Sequence, residues 1–135
     1  VRMNAAFIRI GLSSCDMGTS YFLPRLVGTA LASELMLTGR FIKAQRALAT
    51  GLVSEVVADA DLGAAALPYL EEMLTTSPMG LRLTKEGLNM AIDANSLESA
   101  MAIENRNLVL CSRSEDAKEG MKAFLEKRPP VYTGR

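Results

Sequence analysis

The 135-residue sequence contains no histidine and no tryptophan, and aromatic residues make up only 5% of it. Without histidine, any His-based catalytic triad and any imidazole metal site are excluded. Cysteine is almost as scarce. Cys15 and Cys111 are too far apart in sequence to form a metal-binding cluster, so no metal is expected. Two such thiols read as small buried or half-buried side chains in a reducing compartment. Neither sign of charge prevails, since 15 basic and 15 acidic residues leave a formal net charge of zero. The footprint of a nucleic-acid binder is therefore missing. No apolar run approaches the length of a membrane span, so no membrane partner is expected. The opening VRMNAAFIRI lacks the layout of a signal peptide, and the expected location is cytoplasmic. There is no internal repeat, low-complexity tract or long linker. Against these absences, 49% of the residues are hydrophobic, enough to build the core of one domain or of part of a larger one.

Residues 10–28, IGLSSCDMGTSYFLPRLVG, organise the rest. An apolar run at 5–10, AAFIRI, reads as a short buried strand interrupted by Arg9. A small, polar, Gly-containing turn follows, and then an amphipathic segment closing at Gly28. Strand, turn and helix N-terminus place backbone N–H groups and one side chain at the edge of a site. That side chain is Asp16, which fits two roles. It is a preferred N-cap type, and it is also a carboxylate placed to meet a substrate.

Beyond Asp16 the pattern is mainly helical. Pro24 is expected to kink or restart the first helix. Thr29 can cap a second one over 30–38, stopped by Gly39. An extended connection at 40–42 leads to a small helix over 43–50, ended by Gly51, and then to an expected strand at 52–58. Asp59 or Asp61 starts a helix over 62–75 that Pro68 interrupts. Ser77-Pro78 is an N-cap followed by Pro at the first helical position, with the helix running to about 93. Asn95 and Glu98 have the spacing of a capping box. The helix after it carries Leu97, Met101, Leu108 and Cys111 at helical spacing. Ser114 begins the last helix, with Ala117, Met121, Phe124 and Leu125 as its apolar stripe. Lys127 and Arg128 complement its C-terminal dipole, and Pro129-Pro130 ends it. The eight methionines read as core filler.

Four segments in this order, 10–28, LMLTGRFIKAQRALATGLVSEVV, SPMGLRLTKEGLN and SEDAKEGMKAFLEKRPP, resemble the C-terminal half of the crotonase (enoyl-CoA hydratase/isomerase) superfamily. The resemblance runs from about Phe7 to Arg128. It implies an α/β fold that is mainly α here: residues 1–58 form the end of a ββα spiral core, and residues 59–135 form a helical trimerisation region. The larger N-terminal half of repeated ββα turns is not in the sequence; the start at Val1 fits a fragment or a cloning remnant, and the resemblance favours a fragment.

The resemblance also implies chemistry. In the family two backbone N–H groups hold the thioester carbonyl as an oxyanion hole and stabilise an enolate; they belong to the missing half, as does one catalytic Glu of the hydratases. The second Glu sits four residues before the Gly of the Gly-Leu pair. Counting back from Gly11 gives Phe7, which cannot transfer a proton. Counting back from Leu23-Pro24 instead places Asp16, in DMGT, where dienoyl-CoA isomerases carry a catalytic Asp. One extra residue lies between Gly11 and Asp16. Cys15 beside it has no general base in the sequence to activate it. Lys127 matches a position that reaches the phosphates of CoA, often from a neighbouring subunit. Leu108 matches an apolar or aromatic position near the adenine, and it also reads as plain core packing.

The implied function is an acyl-CoA hydratase or isomerase, incomplete in this sequence. It needs no cofactor beyond the coenzyme A carried by its substrate. Two other readings stand beside it: a crotonase-like protein that binds acyl-CoA without turnover, because Phe7 replaces Glu, and a helical piece serving assembly only. The implied partners are an acyl-CoA and copies of the same chain, as trimers or dimers of trimers.

Overall fold

Sheet structure is confined to one antiparallel pair. The strand β1 (Arg2–Met3) runs beside β2 (Ile42–Lys43), with Arg2 opposite Lys43 and Met3 opposite Ile42. The remaining regular structure is helical in the computed structural model, which describes residues 1–135. Two compact units, Val1–Ala60 and Asp61–Arg135, make up the chain.

In the first unit the expected strand at 5–10 is instead a 3-10 helix, Ala6–Ile10. This segment has no neighbouring strand to take its backbone groups, so it closes on itself. The Gly11 amide donates to the Ile8 carbonyl (3.4 Å) and the Leu12 amide to that of Phe7 (3.0 Å). Arg9, the charge inside the apolar run, has a structural use: its Nε donates to the Gly39 carbonyl at 3.0 Å, joined there by Asn4 Nδ2 at 3.1 Å.

Helix α1 (Thr19–Thr38) passes through Pro24 and breaks at Gly28, where φ is 79° and ψ is 158°. The expected kink at Pro24 is thus displaced by four residues. Proline costs one helix bond but brings a helical φ. Gly28 adopts a backbone conformation that L side chains rarely reach, and the chain turns there. The second arm, from Thr29, matches the expected helix and ends at Gly39 (φ 58°), whose amide donates to the Leu35 carbonyl at 2.9 Å. A Cβ at Gly39 would lie 2.7 Å from Arg9 Cγ, so glycine is required there by space as well as by φ.

Helix α2 (Ala44–Ala49) ends in a Schellman closure, with the Leu52 amide donating to Ala47 (2.9 Å) and the Gly51 amide to Leu48 (3.1 Å). The Leu52 and Val53 amides both turn back to the Ala47 carbonyl, and the strand expected at 52–58 does not form. Leu31, Leu35, Ile42 and Ala47 make the core, edged by Met3, Leu23, Val27, Leu52 and Val53.

The second unit is all helix: α3 (Leu62–Leu74), α4 (Pro78–Ala91), α5 (Leu97–Ser112) and α6 (Glu115–Glu126). Pro68 does not interrupt α3, which runs continuously and has no buried residue. Ser77 caps α4 and Ser114 caps α6 as expected, the latter accepting from the Ala117 amide at 3.0 Å. The cap of α5 is Ser96 rather than Asn95, with Ser96 Oγ accepting from the Ser99 amide at 3.2 Å. Helices α4 and α5 meet at Leu83, whose carbonyl accepts from Asn107 Nδ2 at 3.0 Å.

None of the eight methionines is buried, so the core-filler expectation is corrected. Along the last helix Met121, Phe124 and Leu125 are exposed, and Ala123 is the side chain that goes inside. Both cysteines are free; Cys15 is exposed rather than buried, and Cys111 is half-buried. No helix is long and apolar enough to cross a membrane.

Candidate functional site

The turn ahead of α1 is built from two successive positive-φ residues, Met17 (49°) and Gly18 (79°). They turn the chain sharply into the helix. Phe22 closes over the turn, and a Cβ at Gly18 would meet its Cδ2 and Cε2 at 3.0 Å. Tyr21 stacks edge-on against Phe22 with centroids 5.0 Å apart, and Arg25 lies over the Tyr21 ring at 3.6 Å. This aromatic base holds the turn.

Asp16 stands at the head of the turn with its side chain exposed. Its backbone carbonyl accepts from the Thr19 amide at 2.9 Å, and its Oδ1 accepts from the Met17 amide at 2.8 Å. The N-cap of α1 is Gly18, with no side-chain cap bond. The capping role open to Asp16 in the sequence is therefore not the one it takes. Its Oδ2 has no protein partner and is available to an incoming group. Ser14, two residues before, is buried with its Oγ unpaired.

Phe7, which the resemblance puts in the position of the family's Glu, is half-buried. It lines an open cleft of about 180 Å³ with Leu23, Leu35, Ile42 and Leu52. Thr19 belongs to the same cleft, which puts its edge next to the Asp16 turn.

The two other candidates lie in the second unit. Leu108 is 67% exposed and lines an apolar groove of about 400 Å³ between α4 and α5, with Leu83, Leu88, Ala91 and Ile103. Plain core packing is therefore excluded for it. Lys127 is not a lining residue of that groove, so the two are not brought into one pocket. Lys127 closes α6 at φ 53° and ψ 41°. The Arg128 amide reaches the Ala123 carbonyl (3.1 Å) and the Lys127 amide that of Phe124 (3.3 Å), again a Schellman closure. Glycine is the usual residue at such a position. An L side chain there costs about 1–2 kcal/mol, so lysine is present in spite of the backbone.

A set of bonds not foreseen in the sequence surrounds this reversal. Arg128 grips Glu119 with two bonds, Nη1 to Oε1 (2.6 Å) and Nη2 to Oε2 (2.9 Å), while its Nε reaches Glu126 Oε2 at 2.6 Å. The Val131 amide also donates to Glu119 Oε1 at 2.9 Å. The guanidinium of Arg128, with the Val131 amide, lowers the Glu119 carboxyl to about 2. Asp116, 2% exposed, accepts from the Thr133 amide (2.7 Å), the Gly134 amide (3.0 Å) and Ser77 Oγ (3.0 Å). Those bonds, the Thr133 amide foremost, hold its carboxyl below the usual range. Both carboxylates therefore stabilise the folded tail at neutral pH and lose that contribution as pH falls below the ordinary carboxylate range. The signals in the sequence were an acid two places after the Ser114 cap and a Thr-Gly near the C-terminus. Nothing in their spacing joins them.

No three Cys, Asp or Glu side chains converge to hold a metal ion. The arrangement offers one unpaired carboxylate oxygen in the turn before Thr19, an apolar cleft that Thr19 lines, one cation on a strained reversal, and an apolar groove.

The model of the enoyl-CoA hydratase/isomerase family matches residues 2–135. The chain belongs to this family. It is similar to the 1,2-epoxyphenylacetyl-CoA isomerase of Escherichia coli K12, at 36% identity over 96% of this chain and 49% of the relative. It is 33% identical to the mitochondrial methylglutaconyl-CoA hydratase of Rattus norvegicus, over 99% of this chain and 45% of that one. Among solved structures, the enoyl-CoA hydratase EchA1 of Mycobacterium marinum superposes with a TM-score of 0.90 at 32% identity, covering 99% of this chain and 52% of that one. The chain thus spans about half the length of the curated relatives it matches. Its fold is a piece of the crotonase fold, mainly helical, as the resemblance implied.

Proposed function

We propose that this chain supplies the C-terminal half of an acyl-CoA hydratase/isomerase site, with Asp16 as the carboxylate that moves the proton. The observation that carries the reading is Asp16 itself: exposed, not used to cap α1, with one oxygen unpaired, in a turn whose Thr19 lines the same cleft as Phe7. A carboxylate so placed can take a proton next to a thioester carbonyl and return it elsewhere. The match to an isomerase among the relatives supports this role. The enolate needs hydrogen-bond donors at the thioester oxygen, which on the family pattern come from the other half of the fold. Lys127 holds a phosphate of the CoA moiety, and Leu108 in its groove meets the adenine.

Residues 1–58 serve as the end of the catalytic core and residues 59–135 as the assembly region. The open apolar faces of α3, α5 and α6 support association with copies of the chain, as trimers or dimers of trimers. The cytoplasmic placement belongs to the same reading and is supported by the two free thiols.

The test is Asp16→Asn in a protein carrying both halves of the site. Turnover is expected to fall by roughly 10²–10⁴ while acyl-CoA still binds. Unchanged turnover would remove Asp16 from the chemistry. One observation favours a second reading, acyl-CoA binding without turnover: Phe7 fills the position of a Glu and is part of an apolar wall. Undiminished binding with no turnover in the unaltered protein would establish that reading.

A further inference from the structure

The chain reverses direction at Lys127, and the residues around the reversal are tied down on every side. Arg128 is held by Glu119 and Glu126, and the Val131 amide by Glu119. Further on, Thr133 and Gly134 are held by Asp116. Tyr132 lies on Gly120, where a Cβ would meet its hydroxyl at 3.1 Å. A tail held only to stay folded would relax with glycine at the left-handed position. This one carries an exposed lysine there instead. Glu119, on the helix before the reversal, holds two groups of the chain after it, the Arg128 guanidinium and the Val131 amide.

We infer that Glu119 is a positioning residue for Lys127: by gripping the Arg128 guanidinium and the Val131 amide together, it fixes the reversal from which the Lys127 ammonium meets a phosphate of the CoA moiety. The inference rests on the CoA reading of Lys127 given above. A point charge on a long flexible stem gains affinity when the backbone beneath it is fixed, because less freedom is lost on binding.

The experiment titrates CoA and pantetheine, which lacks the phosphates, by calorimetry into a protein carrying both halves of the site. Lys127→Ala and Glu119→Gln are each expected to weaken CoA about three- to tenfold and to leave pantetheine unchanged. The double variant should bind no worse than either single one, because both remove the same contact. Val131→Pro deletes the amide donor while keeping the Glu119–Arg128 pair; it should weaken CoA in the same way, and it carries the test if Glu119→Gln melts. Additive losses, or equal losses for pantetheine, would reduce Glu119 to a structural clamp and overturn the inference. Wild-type CoA affinity in Glu119→Gln and Val131→Pro, with a loss in Lys127→Ala, would overturn it while leaving the CoA reading intact. No effect of Lys127→Ala, or no CoA binding by the unaltered two-half protein, would overturn the CoA reading itself.

Discussion

In Val1–Ala60, Leu31, Leu35, Ile42 and Ala47 close a continuous core around which α1, α2 and the strand pair are arranged. In Asp61–Arg135 the only buried apolar side chains are Leu83 and Ala123, and the largest fully buried side chain is a carboxylate, Asp116. One unit is held by hydrophobic burial. The other is held by directed bonds from Asp116, Glu119 and Asn107, with large apolar side chains left outside. The difference separates two kinds of task. The Asp16 turn stands on a packed base, where a carboxylate can be aimed. The second unit keeps Leu74, Phe124 and Leu125 each more than 70% exposed, as a surface that gains by being covered.

The comparison can be broken first at Leu35. Its side chain is 3% exposed, and Leu35→Ala is expected to cost the first unit about 2–5 kcal/mol. A unit of this size has little stability in reserve. Urea unfolding followed by circular dichroism checks it, and a loss below about 1 kcal/mol would mean that this core is not what holds the unit together.

A smaller intrinsic effect is expected at Phe124, which is 81% exposed. Phe124→Ser should change the stability of the unassociated chain by no more than about 0.5 kcal/mol. It should still lower the mass seen by light scattering at micromolar concentration. A monodisperse monomer before the substitution would show that the open faces of the second unit do not associate.

The same contrast explains how much could be read in advance. Helix ends were legible because Gly39, Gly51, Ser77 and Ser114 act locally, through φ or through one side-chain oxygen. The strands expected at 5–10 and 52–58 were not legible. An apolar run becomes a strand only beside another strand, and here the first coils into a 3-10 helix and the second is drawn back onto the Ala47 carbonyl. At the site, the position of Asp16 before α1 could be read, but its cap role could not be excluded until Gly18 was seen to take that place. The Asp116 and Glu119 clamps could not be read at all. They join residues 17 and 12 positions apart through a tail whose path depends on a lysine in a left-handed conformation.

The central claim is that Asp16 moves a proton on a CoA thioester, and isotope exchange tests it without requiring full turnover. An acyl-CoA would be incubated in deuterium oxide with a protein carrying both halves of the site, and exchange of the protons next to the thioester carbonyl followed by NMR. The proposal predicts exchange that falls by roughly 10²–10⁴ in Asp16→Asn with acyl-CoA binding retained. Exchange at the unaltered rate in that variant would contradict it.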